Sequence, residues 1–314
     1  MYRIFIFIVF ALAITFFARQ ESGVIVFETQ APQNIVTIVN PPPPPPSVVI
    51  ENEEPVEPIL PVEHRVAIVL PPPPPVAPPP PPHIPEGALY DNGLEATVNL
   101  ICMQNNNFFS VATGAIIHKS GYIITNAHVA EGLQVPPRCL VRRGSPARRF
   151  DEAKLVFMPK AYAQAKTDTE RARLDISIWK LEDSNNVKSI WEIDFVNSPK
   201  FGEDLLTQSY PAELASGELL NTDLNMLFSS TRVVNADEYL VETKGSLASQ
   251  RGSSGGILID RFTGKVRGII FGIDSTDTRQ INERILYALT PSAASETVQK
   301  ETGKTLVEYL AGNP

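Results

Sequence analysis

Cysteine, histidine and basic charge are all scarce in this chain. Two cysteines and four histidines among 314 residues cannot supply a repeated zinc framework. Lys and Arg number 27 against 35 Asp and Glu, a net of −8, which argues against a nucleic-acid partner. Glycine is nearly missing from the first 87 residues, which hold only Gly23 and Gly87 of the 18. Proline blocks without a glycine period exclude collagen. Long apolar runs are also lacking. Residues Ile4–Ala18, interrupted only by Thr15, give 15 residues. As a helix they rise about 22 Å, short of a hydrocarbon core of about 30 Å.

Proline is what the first region has instead. Residues 1–87 carry 21 of the 29 prolines and eight acids against three bases. The remaining 227 residues have ordinary globular composition, enough for one large domain or two small lobes. The expected division is therefore a signal peptide or signal anchor over 1–19, a linker over 20–87 and a folded domain over 88–314.

Arg3 followed by the apolar run suits a signal peptide. Ala18 would precede the cut, but Phe16 stands where a small residue is usual. A retained anchor, tethering the chain to a membrane through residues 4–18, is the alternative. A helix buried in the fold is the third reading. The first two export residues 20–314. The blocks Pro41–Pro46, Pro71–Pro75 and Pro78–Pro82 lock φ, lack amide donors and form polyproline II. They read as a semi-rigid spacer solvated by Glu51, Glu53, Glu54 and Glu57. They also suit a polyproline-binding partner.

Residues 88–314 show short alternating or β-branched runs between turns, the pattern of a sandwich or paired barrels. Strands are expected at Ala96–Met103, Ala112–His118, Tyr122–Asn126, Arg138–Val141, Ile176–Leu181, Gly256–Asp260 and Val266–Ile273. A helix is expected after Pro291, capped by Ser292 and running through Leu310 to Gly312. A second helix fits between Ala161 and Arg173.

Three stretches carry chemistry. Thr125-Asn126-Ala127-His128-Val129-Ala130 ends a strand. Leu174-Asp175-Ile176-Ser177-Ile178-Trp179 opens an apolar strand on a lone acid, whose burial is costly unless it is paired. Gly252-Ser253-Ser254-Gly255-Gly256 lies between a polar loop and a strand. A serine hydroxyl is a weak nucleophile at neutral pH and needs an imidazole within reach. The imidazole needs a carboxylate to orient it and to stabilise its charged form. Glycines let backbone amides converge on the oxygen that becomes an oxyanion, a role for the amides of Gly252 and Ser254. Each motif alone has a bland reading: an ordinary turn, a structural histidine, a capping aspartate. Ser249 and Ser253 compete as nucleophiles, but only Ser254 has the glycine pair directly after it.

Taken together, TNAHVA, LDISIWKL and GSSGG resemble the three signatures of trypsin-like serine peptidases of the chymotrypsin fold, nearest to the bacterial domain related to the HtrA/Deg group. The resemblance covers about residues 95–290. It implies an all-β fold of two six-stranded barrels with the site in the cleft between them. It assigns His128 as general base and acid, Asp175 as its orienter and Ser254 as nucleophile. Three departures stand out. Ser253 replaces the aspartate that, in animal digestive members, pairs with a newly cut N-terminus. Sixty residues follow Ser254, room for closing strands and a helix but not for a PDZ domain. Phe271 stands where the family often has a small hydroxyl residue near the catalytic acid.

The substrate is expected to be a protein or peptide. The loop upstream of Ser254 brings Ala248 and Ser249 to the primary pocket, with Phe271 and Ile273 on its wall. No carboxylate is there to hold Arg or Lys, so small or medium apolar side chains are the expected preference. Cys102 and Cys139 bracket the histidine segment. An oxidised pair or two buried thiols are the two readings, and export favours the disulfide. No metal or cofactor is expected: His64 and His83 lie in the linker, and His118 lacks a partner at ligand spacing.

Overall fold

The computed structural model describes residues 82–104, 109–213, 223–274 and 280–312. The apolar start and most of the proline-rich segment lie outside the described residues. The described part of the chain opens at the end of the last proline block. Ile84 donates its amide to Arg261 O at 3.0 Å, and Glu86 pairs with Arg261 at 2.7 Å. Helix α1 (Glu86–Ala96) then starts after Pro85 and buries Leu89, Gly93 and Ala96, one narrow stripe at i, i+4 and i+7. That stripe is too narrow to stand out in the sequence, which gave no expectation of a helix there.

Among the described residues twelve antiparallel strands follow, in two closed six-stranded barrels. The first contains β1 (Thr97–Met103), β2 (Phe109–His118), β3 (Tyr122–Thr125), β4 (Arg138–Arg143), β5 (Arg148–Phe157) and β6 (Ser177–Leu181), in spatial order β1-β2-β3-β6-β5-β4. The second contains β7 (Asp204–Ser209), β8 (Leu227–Ala236), β9 (Leu240–Lys244), β10 (Ile257–Asp260), β11 (Val266–Ile273) and β12 (Leu286–Leu289), in order β10-β11-β12-β9-β8-β7. This is the all-β double barrel implied by the resemblance. Among the described residues no helix is long and apolar enough to cross a membrane.

Burial explains which strands the sequence announced. Each barrel has its own core: Val98, Leu100, Ile116, Ile123 and Trp179 in the first, Leu205, Val241, Leu258, Ile270 and Leu286 in the second. A third apolar layer joins the two barrels, with Ile124, Ile178, Trp191, Leu206, Ile257, Ile269 and Val298. Strands that face both a barrel interior and this shared layer are buried throughout, as β3 and β10 are. They read as continuous apolar runs. Strand β5 is different. Its sequence RRFDEAKLVF is rich in charge and helix formers, and only pairing with β4 and β6 makes it a strand. It was not expected, nor were β7, β8, β9 and β12.

Both expected helices are corrected. The C-terminal one is two helices, α3 (Pro291–Thr302) and α4 (Leu306–Ala311), separated where Gly303 takes φ +74° and closes the first. Its cap is Thr290, whose hydroxyl accepts the amide of Ala293 at 3.2 Å; Ser292 lies inside the first turn. The 161–173 stretch is a 3₁₀ turn (Lys160–Gln164) followed by the short α2 (Asp168–Arg173), capped by Thr167.

Cys102 and Cys139 face each other in register across β1 and β4 and form a disulfide spanning a sequence separation of 37. The bridge closes a loop that contains the histidine segment. The inter-barrel linker is fastened by buried charge. Arg267 on β11 donates to Asp260 at 2.8 Å and to Ser198 O at 3.0 Å. Asp194 accepts the amides of Val196 and Asn197, each at 3.0 Å. Burial alone would raise its pKa. The donated hydrogen bonds from Asn197 and Val196, with the Arg267 charge, outweigh that and hold it below the usual carboxylate range.

Two tests follow from this arrangement. A carboxyl depressed on folding contributes stability that is present above its unfolded pKa, about 4, and is lost as pH falls through its folded value. Asp194→Asn is expected to cost about 1–3 kcal/mol near neutral pH, with the gap to the parent closing in denaturation curves taken toward pH 3. A constant gap would show that the charge of Asp194 is not what matters. For the cysteines, alkylation of unfolded chain without reductant should label neither thiol, and reduction should lower stability by about 4 kcal/mol on the chain-entropy estimate.

Candidate active site

Strand β3 ends at Thr125 and the chain turns through buried Asn126 and Ala127 into a 3₁₀ turn, His128–Ala130. Asp175 comes from the segment between α2 and β6. Its carboxylate is 6% exposed and takes two bonds from one residue: His128 N at 2.9 Å and His128 Nδ1 at 2.7 Å. The imidazole is 35% exposed, so solvent reaches the ring while its orienting acid is sealed. With Nδ1 held by the carboxylate, Nε2 is the nitrogen left for chemistry. Among the described residues no hydroxyl donates to the carboxylate.

The peptide around the pair is pinned from behind. Asn126 donates to Asp175 O at 3.0 Å, Ser177 donates to Asn126 O at 2.7 Å, and Trp179 Nε1 donates to the Ser177 hydroxyl at 3.0 Å. A second strut joins the histidine segment to the acid segment. Glu131, next after the histidine turn, is ion-paired with Arg171, four residues before Asp175. Arg171 Nε also donates to the Tyr162 hydroxyl at 2.9 Å. Burial, opposed by the Arg171 bond, pushes the Tyr162 phenol up to about 12, so it remains a neutral donor. A cavity of about 420 Å³ abuts this segment at Arg173 and Leu174, but neither His128 nor Ser254 lines it.

Ser254 belongs to the second barrel, in the turn before β10. Its loop is docked on the first barrel by Thr113 of β2. Thr113 N donates to Ser254 O at 2.7 Å, and Thr113 Oγ1 donates to Gly252 O at 2.9 Å. The same hydroxyl accepts the Tyr210 amide at 2.9 Å, and Thr113 O accepts the Thr125 hydroxyl at 2.7 Å. The loop therefore rests beside the strand that leads to His128. Gly255, at φ +82°, is pressed against Thr113 O and Thr125 Oγ1 so closely that any Cβ would overlap both. Among the described residues no hydrogen bond joins Ser254 Oγ to His128 Nε2.

The loop's amides divide into two sets. Those of Ser253, Gly255 and Gly256 are bound to Gln250 O, Ile270 O and Ser253 O. Those of Gly252 and Ser254 have no acceptor among the described residues. Gly252 reaches this arrangement at φ +90°, a conformation that L side chains rarely adopt. One loop thus holds two amides without an acceptor, two residues apart in the chain.

The expected pocket residues are placed as follows. Ala248 is fully buried in the core of the second barrel. Ser249 is also fully buried, and among the described residues its hydroxyl has no hydrogen-bond partner. Phe271 and Ile273, at the end of β11, are partly exposed, and Gly272 between them has open space above its Cα. Thr113, Glu131, Tyr162 and Arg171 are the residues that sequence reasoning missed. Nothing local marks Glu131, Tyr162 or Arg171, and a threonine within an apolar run is the one sign of Thr113.

Residues 112–269 match the family model described as a trypsin-like peptidase domain. No curated protein matches the chain significantly. Several solved structures share its fold. A serine endoprotease from Yersinia pestis is 20% identical, with a TM-score of 0.51 over 69% of this chain and 67% of that one. A Glu endopeptidase is 16% identical, with a TM-score of 0.50 over 67% and 92%. A protease from M. tuberculosis in its active form is 18% identical, with a TM-score of 0.50 over 73% and 92%.

The docking by Thr113 can be tested directly. Thr113→Val removes the hydroxyl, leaving the buried Tyr210 amide and Gly252 carbonyl unpaired. The expected cost is about 1–3 kcal/mol per unpaired group, read from chemical denaturation. Thr113→Ser keeps both bonds and should retain most of the stability. Equal stability of the two variants would reject the role given to the hydroxyl.

Proposed function

The chain belongs to the trypsin-like peptidase domain family, and from that premise we propose that it is an exported serine endopeptidase acting through Ser254, His128 and Asp175. In this reading His128 Nε2 takes the hydroxyl proton of Ser254 as Oγ attacks the peptide carbonyl. The carbonyl oxygen gains negative charge and is met by the amides of Gly252 and Ser254. The C–N bond then breaks, and the departing amine takes the proton from His128. Water, activated by the same imidazole, hydrolyses the acyl-enzyme and restores the serine. Asp175 holds the imidazole in one tautomer and stabilises its charged form. The observation that carries the reading is the pair of free amides at Gly252 and Ser254, on a loop docked beside the strand that leads to the His128–Asp175 pair.

Export rests on Arg3 and the apolar run, and the disulfide suits an oxidising compartment. Residues 4–18 would tether the chain if retained, and the proline-rich segment would hold the head off the membrane. Phe271 and Ile273 favour small or medium apolar side chains before the cut. A second reading, a catalytically silent module that binds peptides, is favoured by one observation: Ser254 and His128 are not hydrogen-bonded. Catalytic bonds often tighten only when substrate is present, which keeps the first reading ahead.

Labelling with a fluorophosphonate probe separates the two. The parent should be labelled and Ser254→Ala should not. Asp175→Asn should lower turnover by roughly 10⁴, because the imidazole loses its orientation. Labelling that is absent from the parent, or that survives Ser254→Ala, would overturn the peptidase reading. A peptide library should show cuts after small or medium apolar residues. Cuts after Arg, Lys or Glu would reject that preference.

A further inference from the structure

The loop that presents the two free amides is held on its other side by an ion pair. Glu213 lies just beyond β7, after Tyr210, Pro211 and Ala212. Its carboxylate accepts the amide of Arg251 at 3.2 Å. The same carboxylate takes Arg284 Nη1 at 3.0 and 3.2 Å on its two oxygens. Arg284 precedes β12, and its Nη1 also donates to Ser249 O at 3.2 Å. Three segments remote in sequence, at 210–213, 249–252 and 281–286, therefore meet at one carboxylate and one guanidinium.

The guanidinium is the more sheltered member: the Arg284 side chain is 16% exposed and the Glu213 side chain 28%, and Glu213 as a residue is exposed, so solvent screens part of their attraction. Among the described residues Arg284 Nε is buried without a hydrogen-bond partner, a cost that the bonds of Nη1 offset. The backbone beside the pair leaves little slack. Ala212 N donates to Arg251 O at 2.8 Å, and a Cβ on Gly252 would stand 2.7 Å from Ala212 N. Both backbone polar groups of Arg251 are thus fixed, the amide by Glu213 and the carbonyl by Ala212. The next amide in the chain is that of Gly252, which is open.

We infer that Glu213 and Arg284 are positioning residues that hold the Arg251–Gly252 peptide so that the Gly252 amide faces a reacting carbonyl. The inference rests on the peptidase reading above. It supplies what Ser253 lacks. Ser253 is buried and hydrogen-bonds Ser209 Oγ at 3.0 Å, a neutral contact with no charge to lock the loop. The charge that fixes this loop comes from the neighbouring turn. It needs no newly cut N-terminus.

The test uses the full chain with Arg284→Met, Arg284→Lys and Glu213→Gln. Each is followed by kcat and KM on a peptide substrate cleaved by the parent, by thermal melting, and by hydrogen exchange of fragments covering 249–256. Arg284→Met should lower kcat roughly 10- to 100-fold, approaching the loss of one oxyanion donor, with little change in KM. Exchange over 249–256 should quicken. Arg284→Lys, which keeps the charge, should recover part of both effects. Glu213→Gln, which can still accept the Arg251 amide, should fall between. A rise in KM alone would make Arg284 a substrate-binding residue and overturn the inference, as would unchanged kcat and exchange. A parent without Ser254-dependent labelling would sink the peptidase reading instead. Exchange then still decides whether the pair fixes the loop.

Discussion

Thr113 connects the two halves of the site. Its amide, hydroxyl and carbonyl reach Ser254, Gly252, Tyr210 and Thr125, so one residue of the first barrel fixes two carbonyls of the loop from the second. His128 and Asp175 lie with the first barrel and Ser254 with the second, so the geometric problem is keeping the two barrels in register. Apolar contact alone does not solve it, because the shared layer is non-directional. Hydrogen bonds supply the direction. The absence of a Cβ at Gly255 allows the close approach that lets them form.

The histidine side is built on a different principle. His128 and Asp175 are held by two bonds to one carboxylate, and the backbone around them by the Asn126, Ser177 and Trp179 relay. The strut of Glu131, Arg171 and Tyr162 adds a charged link outside the relay. Directional bonds to a buried carboxylate are costly to break, because an unpaired buried charge is left behind. That is the physical reason a lone aspartate opening an apolar strand is informative in a sequence: something must be paired with it.

Much of this was legible beforehand, and the reasons are specific. The three motifs carry residue types that the chemistry requires, and β1, β2, β3, β6, β10 and β11 carry apolar runs that report burial. Strand β5 was hidden because its charges and helix formers describe its exposed face, whereas its conformation is set by two partner strands. Helix α1 was hidden because it buries three residues only. Thr113 and the Glu131–Arg171 strut were hidden for a stronger reason. Thr113 and Gly252 are 139 residues apart in sequence and Glu131 and Arg171 are 40 apart, and no local pattern encodes either pairing. The split of the C-terminal helix was readable in part, since Gly303 followed by Thr305 and Glu308 is a stop followed by a capping box.

The Gly252–Gly256 loop is held from two sides. In a loop of five residues, three amides are consumed by internal or neighbouring carbonyls and two are not. An amide left open costs free energy when it is buried, so a fold retains it only where surrounding bonds fix the backbone more strongly than the open donor destabilises it. Here those bonds come from opposite sides. Thr113 grips the carbonyls of Gly252 and Ser254, and Glu213 with Ala212 grips the peptide before Gly252. With both flanks fixed, the open amides cannot relax toward a local acceptor. Their direction becomes a property of the two barrels rather than of the loop itself.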